Sequence, residues 1–111
     1  MIRLEPLSRQ VAVVMGASSG IGRQTALQMS RQGARLVVSA RDEEALETLR
    51  AQITAEGGEA LAMRADVSVA EEVQAVADAA VGAFGGLDTW VHAAAVAVYG
   101  RFEDTTPSEF R

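Results

Sequence analysis

The stretch VAVVMGASSGIG, residues 11–22, organises the interpretation of the whole chain. Five consecutive apolar residues, Val11 to Met15, run into a glycine-rich turn, and a segment with helical spacing follows. A buried strand that ends in glycines and starts a helix is a phosphate-binding arrangement, because the first helical turn has unpaired N–H groups and partial positive charge. A glycine motif alone is weak support, so the remaining sequence must supply the context.

The composition is that of one small globular domain. The 111 residues are 49% hydrophobic and 23% charged, with a net charge of −5, which argues against non-specific binding to nucleic acid or to anionic membranes. Cysteine is absent, which excludes disulfides and thiolate chemistry, and no residues have metal-ligand spacing. The first ten residues lack the apolar core of a signal peptide, and the longest apolar run is about half of a membrane span, so we expect a cytoplasmic protein.

Strand and helix patterns alternate along the chain. Strands are predicted at residues 11–15, 35–40, 59–64 and 89–95, the third with its middle buried. Helices are predicted from about residue 20 to 32, between a cap at Asp42 and Gly57-Gly58, and between a capping box at residues 68–71 and Gly85-Gly86. A further capping box at residues 106–109 predicts the start of a fourth helix.

This alternation predicts the fold class. Continuous apolar strands between amphipathic helices indicate an α/β fold with a parallel sheet and helices on both faces. Right-handed crossovers and a glycine turn after the first strand predict a Rossmann-type, partial doubly wound sheet with strand order 3-2-1-4. Residues 1–111 show no internal boundary and are interpreted as a single dinucleotide-binding domain.

From about Gln10 onward, beginning with the glycines at 16, 20 and 22, the chain resembles the short-chain dehydrogenase/reductase family. The glycines at 16, 20 and 22 are similar to that family's Gly-x-x-x-Gly-x-Gly pattern. Further matches follow in order at the right spacing: Ala65-Asp66-Val67, GLDTWV at 86–91 and FEDTTPSEF at 102–110. The resemblance implies an enzyme that transfers a hydride between a nicotinamide cofactor and a small carbonyl or alcohol substrate, and a homo-oligomer at full length.

Two positions depart from the family's pattern. Met15 stands where the family often has Thr, and residues 92–95, His-Ala-Ala-Ala, stand where it has Asn-Asn-Ala-Gly. The missing Asn side chains would have made hydrogen bonds that steady the central strands. Ala95 replaces a glycine beside which the ribose of the cofactor would pass. Cofactor binding is still expected, with Ala93, Ala94 and Ala95 beside the cofactor.

The resemblance also implies residues that bind the cofactor. Those that would surround the adenosine ribose and the pyrophosphate are Gly16, Ser18, Ser19, Gly20 and Ile21. The alternative is a tight strand-to-helix turn that holds no ligand. Asp66 would accept a hydrogen bond from the adenine amino group, and Val67 would pack on the ring. Alternatively, Asp66 only shapes the loop before Ser68.

Arg41 bears on the choice of cofactor. Proteins that prefer NAD usually place Asp or Glu at the end of the second strand, about 20 residues beyond the glycines, on the ribose 2′-hydroxyl. Here Ser39 and Ala40 occupy that place and Arg41 follows. Because a guanidinium can bind a 2′-phosphate through charge-assisted hydrogen bonds, we predict NADP(H) over NAD(H). The alternative is a solvated loop arginine.

No residue of this chain is predicted to be catalytic. His92, the sole histidine, lies in an apolar strand with no nucleophile or acid at suitable spacing, so a structural or cofactor-adjacent role is favoured. The family's catalytic motif is Tyr-x-x-x-Lys, but the sole tyrosine, Tyr99, is followed four residues later by Glu103, and the chain contains no lysine. In the family the catalytic residues lie beyond the fourth strand.

Two functions from different classes remain open. The first is the N-terminal, cofactor-binding part of an NADP(H)-dependent oxidoreductase whose proton-transferring Tyr lies beyond Arg111. A fourth strand left as an apolar sheet edge and a helix that begins near the last residue favour this expectation. The second is a non-catalytic nucleotide-binding module, such as a redox sensor, that covers this strand with a partner. A methyltransferase-like half-sheet is disfavoured, because it also requires an acid after the second strand.

Overall fold

The computed structural model describes residues 10–18 and 20–93. In that part of the chain the strands are β1 (Val11–Met15), β2 (Arg35–Ala40), β3 (Glu59–Arg64) and β4 (Thr89–His92). The helices between them are α1 (Gly20–Arg31), α2 (Glu43–Ala55) and α3 (Ala70–Phe84). The first three strands have the predicted bounds. Tyr99 and the capping box at 106–109 lie outside the described residues.

The four strands form one parallel sheet in the order β3-β2-β1-β4, which confirms the predicted Rossmann-type topology. The central strand β1 pairs with β2 from Val11 opposite Arg35, and with β4 from Ala12 opposite Thr89. The chain winds outward from β1 through β2 and β3 and then returns to the other side of β1. Ligands of open α/β sheets bind outside the carboxyl ends of the strands beside such a reversal.

Helices cover both faces of the sheet, as predicted. The even-numbered residues of β1 and β2 pack against α1 and α2, and the odd-numbered core residues of both strands face α3. All five residues of β1 are buried. The unbroken apolar run at 11–15 therefore has a physical cause, because a strand covered by helices on both sides has no solvent-exposed face.

Three helix ends carry glycines with left-handed backbone angles. Gly33, Gly57 and Gly85 have φ values of +98°, +89° and +84°. At the start of α2, the predicted cap at Asp42 is confirmed, because its Oδ1 accepts a hydrogen bond of 3.1 Å from the N–H of Ala45. These ends are set by local chemistry, which is why the sequence predicts them well.

Two strand predictions are wrong in detail. The middle of β3 is not buried: Leu61 is 37% exposed, because β3 is the edge strand and α3 packs over β1 and β2 instead. Strand β4 ends at His92, and Ala93 does not continue it. The last two residues of the predicted strand, Ala94 and Ala95, lie outside the described residues.

Asp88 fastens the start of β1 to the loop before β4. Its Oδ2 accepts a hydrogen bond of 2.8 Å from the N–H of Val11, and its own N–H donates to the Val11 carbonyl at 2.8 Å. Val11 is only 2% exposed, so removing the carboxylate leaves a buried N–H without a partner. We expect Asp88→Ala to lower the free energy of unfolding by about 1–3 kcal/mol, measured by urea denaturation.

The matched control for Asp88 is Asp78→Ala on the exposed side of α3. The Asp78 carboxylate accepts only one described bond, from the Gln74 amide at 3.0 Å, so the expected change stays within about 0.5 kcal/mol. Equal losses of unfolding free energy in the two variants would show that the hydrogen bond from Val11 to the Asp88 carboxylate does not stabilise the sheet.

Candidate dinucleotide site

A cleft of about 680 Å³ opens at the carboxyl ends of the strands, beside the start of α1. Its walls are the turn after β1, the loops after β2 and β3, and the residue after β4. The residues that line it are Gly16, Ser18, Gly20, Ile21, Gly22, Ala40, Arg41, Asp42, Ala65, Asp66, Val67, Ser68 and Ala93. Every site residue predicted from the sequence and described by the structure lies in this lining. The remaining three, Ser19, Ala94 and Ala95, lie outside the described residues.

The glycine-rich turn is fastened to the end of the neighbouring strand. The N–H groups of Gly16 and Ala17 both donate to the carbonyl of Ser39, at 2.7 and 3.0 Å. Gly16 and Gly20 adopt φ values of +80° and +58°, a region that disfavours residues with a side chain. The described part of the turn therefore presents main chain beside the end of β2.

Gly22 brings the first turn of α1 against this surface. A Cβ built on Gly22 would overlap the carbonyl oxygen of Gly16 and would stand 3.0 Å from the Cβ of Ala93. This close approach lets the helix begin directly over the sheet. Gly22 was absent from the predicted site residues, although its place in the glycine pattern was the signal that could have found it.

The first turn of α1 carries no acidic side chain. Its unpaired N–H groups and the positive end of the helix dipole are therefore not neutralised by a carboxylate of that turn. Ile21, in the same turn, is 62% exposed and lines the cleft. This end of the cleft suits a phosphate or pyrophosphate group next to an apolar surface.

Arg41 is an exposed residue in the wall that follows β2. No carboxylate among the described residues forms an ion pair with its guanidinium. The neighbouring acid, Asp42, uses Oδ1 to cap α2 and forms no ion pair with Arg41. A guanidinium that forms no ion pair with a described carboxylate, on the wall of a cleft, is available to an external anion.

Asp66 is held in a turn of its own after β3. Its Oδ1 accepts hydrogen bonds from the N–H and the Oγ of Ser68, at 2.9 and 2.7 Å. The N–H of Asp66 donates to Oε1 of Glu72 on α3 at 2.8 Å. These contacts order the loop on the cleft side of β3, with Val67 45% exposed beside it.

The predicted capping box at residues 68–71 is wrong. Helix α3 begins after Val69, which makes no side-chain capping bond, and Ser68 bonds to Asp66 instead. Because α3 begins one residue later than the box predicts, the Ser68 hydroxyl does not cap it. The hydroxyl donates instead to the Asp66 carboxylate, and Ser68 becomes part of the cleft wall.

The short chain dehydrogenase family model matches residues 10–111. The chain belongs to this family. Its members are oxidoreductases by family description, and the Rossmann-type sheet and glycine turn described above are the part of the short-chain dehydrogenase/reductase fold that this chain contains.

Individual relatives support the assignment. The uncharacterised oxidoreductase YxnA of Bacillus subtilis is 41% identical over 110 residues, which are 99% of this chain and 31% of that protein. A Burkholderia phymatum short chain dehydrogenase/reductase, solved in complex with NAD, is 42% identical with a TM-score of 0.71, over 73% of this chain and 29% of that one. A metagenomic short-chain oxidoreductase, solved in complex with NADP, is 43% identical with a TM-score of 0.71, over 76% and 38%.

Two facts follow from these relatives. This chain spans about a third of the length of YxnA, so it corresponds to part of a short-chain dehydrogenase/reductase of that size. The two solved relatives hold different dinucleotides, NAD in one and NADP in the other. Family membership therefore indicates an NAD(P) site and leaves the preference between the two to the residues of this chain.

His92, the remaining candidate among the described residues, plays no part in the cleft. His92 is exposed and lies edge-on to Trp90, with ring centroids 6.0 Å apart. It does not line the cleft, whereas the next residue, Ala93, does. Among residues 10–18 and 20–93 no group of acidic or imidazole side chains could hold a metal ion, and no helix there has the length and apolar character of a membrane span.

The contacts of Asp66 predict an acid-side pH dependence. The hydroxyl and N–H of Ser68 hold the pKa of Asp66 below its usual range, and the guanidinium groups of Arg41 and Arg64 add to this. Because the folded-state pKa is lowered, the stabilisation is present above the unfolded value of about 3.9 and is lost as the pH falls through the folded value.

We therefore expect Asp66→Asn to be less stable than the natural protein at pH 7, with the difference shrinking below about pH 4. Urea denaturation of both proteins at pH 7, 5, 4 and 3 measures this. A difference that stays constant with pH would mean that the ionised carboxylate contributes nothing to the loop.

Proposed function

We propose that this chain forms the cofactor-binding part of an NADP(H)-dependent oxidoreductase that acts on a small carbonyl or alcohol compound. The observation that carries the proposal is the pairing of two anion-binding features in one cleft. One is the start of α1, whose first turn carries no acidic side chain, and the other is the guanidinium of Arg41, which forms no ion pair with a described carboxylate. NADP carries phosphate in two places, a pyrophosphate and a 2′-phosphate, and so matches both.

The residues of the cleft fit the adenosine half of that cofactor. Its volume of about 680 Å³ is in the range of small-molecule sites. We assign the pyrophosphate to the start of α1, the 2′-phosphate to Arg41, and the adenine to the loop of Asp66 and Val67. The second carboxylate oxygen, Oδ2 of Asp66, is not used by Ser68 and can accept from an amino group.

The proposed chemistry divides between this chain and residues outside it. The nicotinamide supplies hydride transfer when the cofactor is bound, and this chain's residues bind and orient the dinucleotide. The sequence has no lysine, and its one tyrosine is not followed by the family's Tyr-x-x-x-Lys spacing. We assign proton transfer to the portion of the relatives' length that this chain does not span.

The experiment that tests the cofactor assignment uses adenosine fragments. Calorimetric titration of the full natural protein with 2′,5′-ADP and 5′-AMP isolates the 2′-phosphate, because the two ligands differ only there. Hydrogen bonds to a charged group contribute about 1.5–3 kcal/mol, so 2′,5′-ADP is expected to bind at least about tenfold more tightly. Equal affinities, or a preference for 5′-AMP, would contradict the proposal.

A second measurement separates an enzyme from a non-catalytic nucleotide-binding module. The full natural protein is mixed with NADPH and a panel of simple aldehydes and quinones, and the absorbance of the reduced nicotinamide is followed. Oxidation that depends on the carbonyl compound supports the oxidoreductase. Tight binding of 2′,5′-ADP without any turnover across the panel would favour the module.

A further inference from the structure

A second arginine lies directly beside Arg41. Arg64 ends β3, and its Nε donates a hydrogen bond of 3.1 Å to the main-chain carbonyl of Arg41. The two residues are 23 positions apart in sequence. They meet because β2 and β3 are parallel and pair up to Ala40 opposite Arg64, so the end of one strand lies next to the end of the other.

This hydrogen bond is one of several that hold the turn after β2. The carbonyl of Ala40 accepts from the N–H of Ala65 at 3.0 Å, which extends the pairing of β2 with β3 by one step. Asp42 is fixed by its capping bond to Ala45 at 3.1 Å. Arg64 binds the carbonyl between these two points. The main chain is therefore held by hydrogen bonds at Ala40, Arg41 and Asp42, while the side chain of Arg41 is exposed.

Arg64 is not part of the cleft wall, although Arg41 and Asp42 are. It is exposed, and no carboxylate among the described residues forms an ion pair with it. Its one described side-chain hydrogen bond goes to the Arg41 carbonyl. Its direct contact with the cleft wall is thus through the main chain of Arg41, and its charge also acts on Asp66.

We propose that Arg64 is a positioning residue for Arg41, which it holds so that the Arg41 guanidinium points to the 2′-phosphate of the dinucleotide. The inference rests on the proposed NADP(H) site. An arginine side chain has many rotamers, and a fixed main chain restricts the directions in which it can reach. A group that is held in its binding direction before the ligand arrives loses less freedom on binding.

Two substitutions separate this role from a simple effect of charge. Arg64→Gln places an amide nitrogen where the Arg64 Nε lies, so the donor is kept and the charge is removed. Arg64→Met keeps an unbranched stem of similar length and removes both donor and charge. If the hydrogen bond is what matters, the Gln variant retains the natural preference for the 2′-phosphate and the Met variant loses part of it.

The measurement is calorimetric titration of the full natural protein and its variants with 2′,5′-ADP and with 5′-AMP. For Arg64→Met we expect about three- to tenfold weaker binding of 2′,5′-ADP, the size of one hydrogen bond, and no change for 5′-AMP. For Arg64→Gln we expect the affinity for 2′,5′-ADP to fall by less than half as much as in Arg64→Met, when both losses are expressed as the logarithm of the dissociation constant. Urea denaturation of each variant checks that the fold is intact, and the Gln variant tests the role even if the Met variant unfolds.

The double variant Arg41→Met with Arg64→Met shows whether the two residues act together. If Arg64 acts through Arg41, the double variant binds 2′,5′-ADP no more weakly than Arg41→Met alone. Losses that multiply would overturn the proposal, since they would place Arg64 in direct contact with the phosphate. An unchanged ratio of affinities in Arg64→Met would also overturn it.

The failure of this inference can be told apart from the failure of the proposed function. If the natural protein binds 2′,5′-ADP and 5′-AMP equally, both fail. If the natural preference exists and is lost in Arg41→Met but kept in Arg64→Met, the NADP(H) site stands and only the positioning role of Arg64 is wrong.

Discussion

Gly22→Ala is expected to lower the free energy of unfolding by about 3 kcal/mol and to abolish nucleotide binding. The added methyl group would overlap the carbonyl oxygen of Gly16 and would press on Ala93. Overlap with main chain cannot be relieved by a rotamer change. Nor can the turn move away easily, because the N–H of Gly16 is bonded to Ser39 at 2.7 Å.

The expected loss has two readouts. Urea denaturation measures the free energy of unfolding, and titration with 2′,5′-ADP measures whether the cleft keeps its shape. Because α1 would be pushed away from the turn, we expect the folded variant to lose binding of 2′,5′-ADP. This loss is expected in the absence of urea, where the variant is still folded. This makes Gly22 a residue that acts on the site by packing, without offering a group to the ligand.

The matched control is Gly82→Ala in α3. A Cβ at Gly82 meets no atom within 4 Å, and the residue lies inside a helix. Alanine is preferred there by about 0.8–1.0 kcal/mol, so the control is expected to stabilise the protein and to leave nucleotide affinity unchanged. If Gly22→Ala behaved like Gly82→Ala, the close approach of α1 to the turn would not exist.

The fold was predictable because its main signals are local. Strand β1 is apolar at every position since helices cover both faces of the sheet, and this gives an unbroken run at residues 11–15. Helix ends were predictable for the same reason, as Asp42 and Gly57 satisfy the chemistry of a cap within a few residues. Strand order then followed from the rules for parallel crossovers.

The errors arose where contacts that no spacing pattern records decide the outcome. Leu61 looks like a core residue in sequence, but its exposure depends on how far α3 extends across the sheet. Ser68 has the spacing of a helix cap, but a carboxylate two residues earlier takes its hydroxyl. The contact between Arg64 and Arg41 joins residues 23 apart, and no local pattern indicates it.

The candidate site was predictable to the extent that the sheet brings its parts together. Parallel strands put all their carboxyl ends at one edge, so the turn after β1 and the loops after β2 and β3 had to meet. The sequence could therefore predict that Gly16, Arg41 and Asp66 line one cleft, as the structure shows. It could not predict that Glu72 would bind the N–H of Asp66, since that contact depends on how α3 is seated. That the cleft binds NADP(H) stays a prediction.

Arg41→Met is expected to weaken binding of 2′,5′-ADP by roughly ten- to a hundredfold and to leave binding of 5′-AMP unchanged. The methionine keeps an unbranched stem but has no charge and no donor for the 2′-phosphate. The Arg41 side chain is exposed and holds no described ion pair, so its removal leaves no buried partner unsatisfied. Stability is therefore expected to change by less than about 0.5 kcal/mol, and calorimetric titration reports the binding change directly.

Arg50→Met is the matched control, because it makes the same change in net charge on a different surface. Arg50 pairs with Glu47 on α2 and does not line the cleft, so both ligands are expected to bind as they do to the natural protein.

Salt provides a second comparison. The ratio by which the natural protein prefers 2′,5′-ADP to 5′-AMP should fall between 50 and 500 mM NaCl by a factor of roughly three or more, since exposed charges are screened. Arg41→Met should show the same weak salt dependence for both ligands. If Arg41→Met still bound 2′,5′-ADP more tightly than 5′-AMP by the same factor as the natural protein, a residue other than Arg41 would have to bind the 2′-phosphate.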